Sequence, residues 1–405
     1  MRPLFLLICV CAAAQEPAEI LGRVRHNVGV QVSRSANYSC VETVERNYYF
    51  LPQRGGACGR VPAAASKPNL RDRLRLDVAV SRQSEIYSWH GENNFTSTSV
   101  AEVVRGGPIS SGGFVGYLMN IFLGPNIPIS YVGESNHGYN FQYDVSLANS
   151  KYQTLTRKGY VRIPFHGTFS VDTSSFQLKD LVVRGDEFPD VSDICFAESQ
   201  ITYQIANISG GDSLIPSGFV LKIGNRTPSL FTESRGTYSE CREFKGESTL
   251  VFDTSREPSK ATNQQRIAKQ KLGTGKTLRI KLTTPIDDRT SFTGDPVEGV
   301  VEGPWRNATV RGVITELATR NDPLVHYYLK IEFERMTADG QVYSFRALHK
   351  PTGKEPTKLY FLFGAHLPED VSREIRQGTI VVYAKHLRLK PGFTDNWVTV
   401  GTAER

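Results

Sequence analysis

Apolar and polar positions change rhythm along this chain, from a helical period near the N-terminus to a two-residue period almost everywhere after it. Ile20, Leu21, Val24, Val28 and Val32 recur at helical spacing and predict one amphipathic helix ending by the polar turn Ser33 to Asn37. Strands are predicted from there: Tyr38 to Phe50, then Leu74, Leu76, Val78 and Val80 alternating with Arg73, Arg75 and Asp77, then Ile86 to Trp89. Two short helical patches interrupt them. One holds Val100, Val103 and Val104, and the other places Phe114, Tyr117, Leu118, Ile121 and Phe122 on a single face.

The cleanest alternation comes next, where Tyr139, Phe141, Tyr143, Val145 and Leu147 interleave with Asn140, Gln142, Asp144 and Ser146. One face is apolar and the other wet, as in an antiparallel sheet packed on one side. Val161 to Phe165, Gly167 to Val171, Phe176 to Val183, Ile201 to Ile205, Phe219 to Ile223 and Thr249 to Phe252 continue the meander. Together they predict one large antiparallel sheet curved over the helices.

The stretch from Asp253 to Gly275 lacks aromatic residues and reads as a linker. A second β unit follows it. Leu278, Ile280 and Leu282 alternate, then Val325, Tyr327, Leu329, Ile331 and Phe333 alternate with polar residues, and Tyr343 to Leu348, Leu359 to Phe363, Thr379 to Leu389 and Trp397 to Val400 complete a small barrel or sandwich. Glu369 to Arg376 reads as a helical turn or two. The expected organisation is residues 1–14 as a signal peptide, 15–253 as the first unit, 254–275 as the basic linker and 276–405 as the small β domain. The fold class is mainly β with a few helices.

Export changes the chemistry expected. Arg2, the apolar run Leu4 to Val10 and the small residues Ala12, Ala13 and Ala14 have the layout of a secretory signal with cleavage after Ala14. Removing Cys9 and Cys11 leaves Cys40, Cys58, Cys195 and Cys241, an even set suited to an oxidising space. Pairing within each local strand set predicts Cys40 with Cys58 and Cys195 with Cys241. No CxxC or nearby histidine pair offers zinc spacing.

Charge is local too. Arg256, Lys260, Arg266, Lys269, Lys271, Lys276, Arg279 and Lys281 stand against the single acid Glu257, and this stretch carries the whole-chain net charge of +7. It reads as a solvated tether able to touch an anionic membrane surface, and export argues against nucleic acid as a partner.

Catalytic signatures are missing. Gly273, Thr274, Gly275, Lys276 and Thr277 imitate the end of a phosphate-binding loop, but Lys271 stands where the first glycine is required. There is no GxSxG, HExxH or calcium-loop motif. His90 with Glu92, and His137 with Glu134, lack a third partner. Asp186, Glu187, Asp190 and Asp193 offer hard oxygens for calcium, but their irregular spacing around Pro189 reads as a solvated loop. No enzyme activity, cofactor or metal is expected.

The order of elements, with Tyr38 to Thr43 around Cys40, Leu74 to Val80, Tyr87-Ser88-Trp89, Gly106-Gly107 to Phe122, Phe169 to Asp172 and Cys241 to Phe252, resembles the superfamily of periplasmic lipoprotein carriers and sigma-factor regulators. More narrowly it looks like exported acidobacterial proteins. That resemblance spans residues from about 18 to 253 and implies a curved antiparallel half-barrel with a helical plug around an apolar cavity. The tail, with Thr284 to Asp287, Gly294 to Val297 and Leu387 to Trp397, resembles a small β domain attached to many such proteins.

The resemblance implies a periplasmic or outer-membrane-associated protein that binds an acyl chain or lipidated partner, with Phe114, Tyr117, Leu118, Ile121, Phe122, Tyr139, Phe141 and Tyr143 lining the cavity. The other expectation is an envelope scaffold that binds proteins and in which the same residues fill a closed core.

Overall fold

The structure is a computed structural model. It describes residues 16–401 except 35–36, 52–57, 59–61, 63–65, 82–83, 93–94, 96, 105, 157–158, 209, 227–228, 244–269, 304, 306–307, 322–324 and 351–377. The expected signal peptide, most of the expected basic linker, and the readings at Thr249 to Phe252, Leu359 to Phe363 and Glu369 to Arg376 therefore lie outside the described residues. No helix among the described residues is long and apolar enough to cross a membrane.

Helix α1 (Pro17–Arg34) is followed by β1 (Tyr38–Phe50), β2 (Leu70–Ser81), β3 (Ser84–Trp89), α2 (Val100–Val103) and α3 (Gly116–Phe122). Then come β4 (Ile129–Ser135), β5 (Gly138–Val145), a small hairpin of β6 (Gln153–Thr156) and β7 (Gly159–Arg162), β8 (Phe165–Val171), β9 (Leu178–Gly185), β10 (Ile194–Ile208), β11 (Gly211–Asn225) and β12 (Leu230–Glu243).

The first unit is an open, antiparallel sheet in the order β4-β5-β8-β9-β10-β11-β12-β1-β2-β3. Its concave face is apolar and is filled by α1, which buries Ile20, Val24, Val28 and Val32, and by α3, which buries Leu118, Ile121 and Phe122. The alternation of β5 is kept, with Phe141, Tyr143 and Val145 buried and Gln142 and Asp144 exposed.

Several local readings needed tertiary correction. Val161 to Phe165 is not one strand: β7 ends at Arg162 and β8 begins at Phe165, with Pro164, which has no N–H to give a ladder, between them. Phe176 sits at φ 56 in the turn before β9 rather than inside it. Strands β4 and β12 lacked a clean alternation, yet β12 is the partner that brings the chain back beside β1.

That return decides the disulfides. Cys40 is bonded to Cys241 (Cα–Cα 4.1 Å) and Cys58 to Cys195 (Cα–Cα 5.8 Å). The local pairing Cys40 with Cys58 and Cys195 with Cys241 is thus wrong. Antiparallel pairing of β1 with β12 sets Ser39 opposite Arg242, and a bulge at Cys40 brings its thiol to Cys241 across a sequence separation of 201 residues.

The second unit contains β13 (Gln270–Lys271), β14 (Thr277–Leu282), β15 (Ile286–Asp287), β16 (Pro296–Glu302), β17 (Thr309–Arg320), β18 (His326–Ala338), β19 (Gln341–His349), β20 (Thr379–Val382), β21 (Arg388–Leu389) and β22 (Thr394–Val400). Strands β14, β16, β17, β18, β19 and β22 close antiparallel on one another, β22 returning to β14, as a six-stranded barrel. Its lumen is packed with Ile280, Leu329, Ile331, Phe333, Met336 and Trp397. Gln270 and Lys271, expected inside the linker, already pair with β19 as a parallel strand.

The two units share a hydrogen-bonded seam. Leu70, Arg71 and Asp72 of β2 pair with Arg320, Thr319 and Ala318 of β17. The guanidinium groups of Arg73 (3.9 Å) and Arg75 (4.0 Å) lie over the ring of Phe292 in the connection from β15 to β16, and Arg75 also bridges to Asp295 at 3.0 Å. The main chain of Thr293 exchanges hydrogen bonds with Arg73 and Arg75, at 2.9 and 2.8 Å.

Candidate functional site

Inside the half-barrel, the inward row of β1 runs Tyr38, Cys40, Glu42, Val44, Arg46, Tyr48, because alternate residues of a strand share one face. Two members of that row, Glu42 and Arg46, are ionisable groups in an apolar environment. Arg46 is satisfied: its Nε and Nη2 donate to the two oxygens of Asp72, the opposite residue on β2, at 2.7 and 2.5 Å.

Glu42 is not satisfied. It is 1% exposed, its Oε1 accepts a 3.4 Å hydrogen bond from the Tyr238 hydroxyl, and its Oε2 has no hydrogen-bond partner among the described residues. Burial, and then the neighbouring carboxylate of Glu85, push its carboxyl up to about 8, so it holds its proton at neutral pH.

Glu85 on β3 has both oxygens occupied. The backbone N–H groups of Gly112 (2.7 Å), Phe114 (3.0 Å) and Val115 (3.3 Å) donate to it, as does the Tyr87 hydroxyl (2.5 Å). These donors belong to a strap, Gly106 to Val115, that leads into α3 and crosses the concave face. Arg46 Nη1 holds its start at the Gly106 carbonyl (2.8 Å), Ser234 the Pro108 carbonyl (3.3 Å) and the Tyr203 hydroxyl the Gly113 carbonyl (2.7 Å). Gly107 is required there: its φ is +74, and a Cβ would stand 2.3 Å from the Tyr48 hydroxyl and 2.5 Å from Arg46 Nη1.

Aromatic rings surround the two carboxyl groups. Phe114 packs against Tyr238 (4.8 Å) and Tyr38 (5.9 Å), and Tyr238 against Phe219 (6.0 Å). Burial raises the phenols of Tyr38, Tyr87, Tyr203 and Tyr238 above their ordinary range, with Glu85 adding to each. Tyr238 and Glu85 are half-buried, so the cluster meets solvent at these two residues.

The eight expected cavity residues all belong to this same core or pack against it. Seven gather around α3 and β5. Phe122 and Phe141 both pack on Phe169 at 4.9 Å, Tyr143 and Tyr117 on Phe165 at 6.1 and 6.2 Å, and Tyr139 stacks on Phe176 at 6.2 Å. Leu118 and Ile121 are 1% and 0% exposed. Phe114 stands apart, since it precedes the helix and its ring belongs to the strap cluster.

Glu42, Glu85, Tyr203 and Tyr238 were not singled out from the sequence. One signal was present: a glutamate occupying the buried phase of β1, between Cys40 and Val44, is a polar residue where the alternation demands an apolar one.

Grooves among the described residues lie outside the core. One, of about 460 Å³, sits on the polar face of the half-barrel among Gln142, Asp144, His166, Thr168, Arg184 and Glu198. Another, of about 360 Å³, lies at the junction of the units, lined by Trp89, His90 and Glu92 from the first and by Arg311, Glu334 and Arg335 from the second. His90 Nδ1 donates to Asp77 Oδ1 at 2.9 Å, and that hydrogen bond raises its imidazole above its ordinary value. The acidic loop near Pro189 is held by Arg226, which reaches the carbonyls of Phe188, Pro189 and Ser192 and lies 3.8 Å from Asp190. Among the described residues no group of three or more metal-ligating side chains gathers. Compared with family models and with curated proteins, the chain matches none.

Proposed function

We propose that this chain is a non-enzymatic cell-envelope protein, exported to the periplasm or the outer membrane, that works as a protein-interaction scaffold. The observation that carries this reading is the junction groove. Both units contribute its walls, and the shared β2–β17 seam holds those walls in register. Clefts between units are common binding places. An indole, an imidazole, two acids and two arginines suit a polypeptide surface of mixed charge. Arg311 and Arg335 stand directly opposite each other on β17 and β18, an arrangement of like charges that costs stability unless an acidic group comes between them.

A photoreactive phenylalanine at position 335 of the full chain, introduced in the exporting cell, is expected to give one discrete protein adduct. Arg311→Glu should remove that adduct. Loss of adducts at 335 together with saturable uptake of a fluorescent fatty-acyl probe would overturn the scaffold reading.

The second reading is an acyl-chain carrier, in line with the resemblance above. The strap Gly106 to Val115 favours it, because this cover of the apolar interior is held by side-chain hydrogen bonds and can open without breaking the ladder of the sheet. In that case the full chain takes up the acyl probe with micromolar affinity, equivalent to about −8 kcal/mol, and Leu118→Asp abolishes uptake.

A further inference from the structure

One end of the half-barrel carries two exposed segments of opposite charge side by side. We propose that they form a self-complementary surface on which a second copy of this chain docks, the β6–β7 hairpin of one protomer meeting the acidic loop Asp186 to Asp193 of its partner about a two-fold axis.

The hairpin is the basic half. From Val145 to Val171 the chain has the cations Lys151, Arg157, Lys158 and Arg162 and no acid, and Lys151 and Arg162 are exposed. Among the described strands β6 and β7 pair only with each other, and a two-stranded ribbon by itself is marginal in water. Its root is fastened, since the Ser150 hydroxyl donates to the Ile163 carbonyl at 2.5 Å and the Ile163 N–H to the Tyr152 carbonyl at 3.0 Å. Alternation along β7 then turns Tyr160 and Arg162 to the same solvent side. Tyr160 is 58% exposed, an aromatic ring presented to water beside a cation.

The loop is the acidic half. Asp186, Glu187, Asp190 and Asp193 fall in a stretch with no cation, and the first three are exposed. Cations of the same chain hold them loosely: Arg184 and His166 lie 3.5 and 3.9 Å from Asp186, and Arg226 lies 3.8 Å from Asp190. Exposed bridges of this kind contribute little, so the carboxylates are available to a closer cation.

Packing sets the two halves next to each other. Phe188 of the loop shares a buried cluster with Ile163 and Ala197, against which Tyr152 packs. A Cβ on Gly185 would stand 2.9 Å from the Ile163 side chain and 3.5 Å from that of Phe188, so both roots close on that glycine.

A basic patch beside an acidic one is its own complement, because a two-fold rotation lays basic on acidic twice, as in an isologous dimer. Tyr160, Leu147 in the turn before the hairpin, and Val191 in the loop are all exposed and supply apolar contact. An anionic lipid surface fits less well, since the hairpin would carry the acidic loop toward it.

Sedimentation velocity of the full chain, from micromolar to millimolar concentration, tests the proposal. Reversible dimers are expected, at least tenfold weaker in molar salt, where the Debye length is about 3 Å. Lys151→Glu with Arg162→Glu should abolish them, and so should Glu187→Lys with Asp190→Lys, because either change sets like charge on like. Mixing these two variants should restore a dimer, since each then supplies the sign the other needs. Tyr160→Ser, a change at an exposed side chain, should weaken association severalfold and decides the matter if a reversal variant does not fold. A wild type that stays monomeric throughout, dimers that survive either reversal in a folded chain, or a mixture of folded variants that remains monomeric would overturn the proposal. Flotation of a monomeric chain with phosphatidylglycerol vesicles would overturn it too, and would assign the hairpin to lipid.

Discussion

Glu42 and Glu85 stand together beneath the strap of the half-barrel, and only Glu85 has its oxygens taken up by hydrogen bonds from main chain and tyrosine. The two carboxyl groups therefore do different work. Glu85 ties the strap to β3, whereas Glu42 remains a protonated acid in an aromatic setting.

Stability should fall as pH rises through the neutral range. Glu42 binds its proton more tightly folded, at about 8, than in the unfolded chain, near 4.5. Folding then takes up a proton between those values, and the contribution is complete below 4.5, declines across the window and is gone above 8. Buried Glu316, raised to about 7 by desolvation, acts in the same direction. Denaturant melts at pH 5 and pH 8.5 should differ by a few kcal/mol, on the order expected from shifts of this size. Glu42→Gln should remove most of the Glu42 share. A flat profile in the wild type would contradict the burial of both acids.

Glu85→Gln should loosen the strap without unfolding the sheet. Hydrogen bonds from main-chain N–H groups to a charged acceptor contribute about 1.5–3 kcal/mol each. Amide exchange at Gly112, Phe114 and Val115 is expected to speed up roughly ten- to a hundredfold, with β1 and β12 unchanged. Exchange that rises everywhere instead would mean that Glu85 supports the sheet and not the strap.

Peptide mapping of non-reduced protein should recover Cys40 joined to Cys241 and Cys58 joined to Cys195. The first bond ties the end of β12 to the start of β1, so the pair Cys40→Ser with Cys241→Ser should lose about 2–5 kcal/mol. Recovery of Cys40 with Cys58 would overturn the β1–β12 pairing.

Phe292→Ala should weaken the joint between the units. The ring is 5% exposed, with the guanidinium groups of Arg73 and Arg75 both within 4.0 Å of its centroid. Its removal is expected to cost about 3–5 kcal/mol and to split a single unfolding transition into two, read by calorimetry. A single, merely shifted transition would show that the β2–β17 hydrogen bonds alone couple the units.

What the sequence determined by itself was whatever depends on near neighbours. The period of Ile20, Val24, Val28 and Val32 specifies the inner face of α1, and the alternation of Phe141, Tyr143 and Val145 specifies that of β5, because side-chain direction follows from backbone repeat alone. From such elements the mainly β class, and a small barrel or sandwich at the C-terminal end, were legible; closure into a barrel was decided by the return of β22 to β14.

The tertiary structure alone decided who pairs with whom. Which strand lies beside β1 depends on how the whole meander curls, so the partner of Cys40 could not be read from its spacing to Cys58. β17, whose bulges at Arg311 and Ile314 break its period, was hidden for the same reason. The environment of Glu42 was hidden more deeply. A glutamate on a strand is ordinary until β3, β12 and the strap close over it, and it is that desolvation, produced by segments far apart in the chain, that turns it into a neutral acid with an unanswered oxygen.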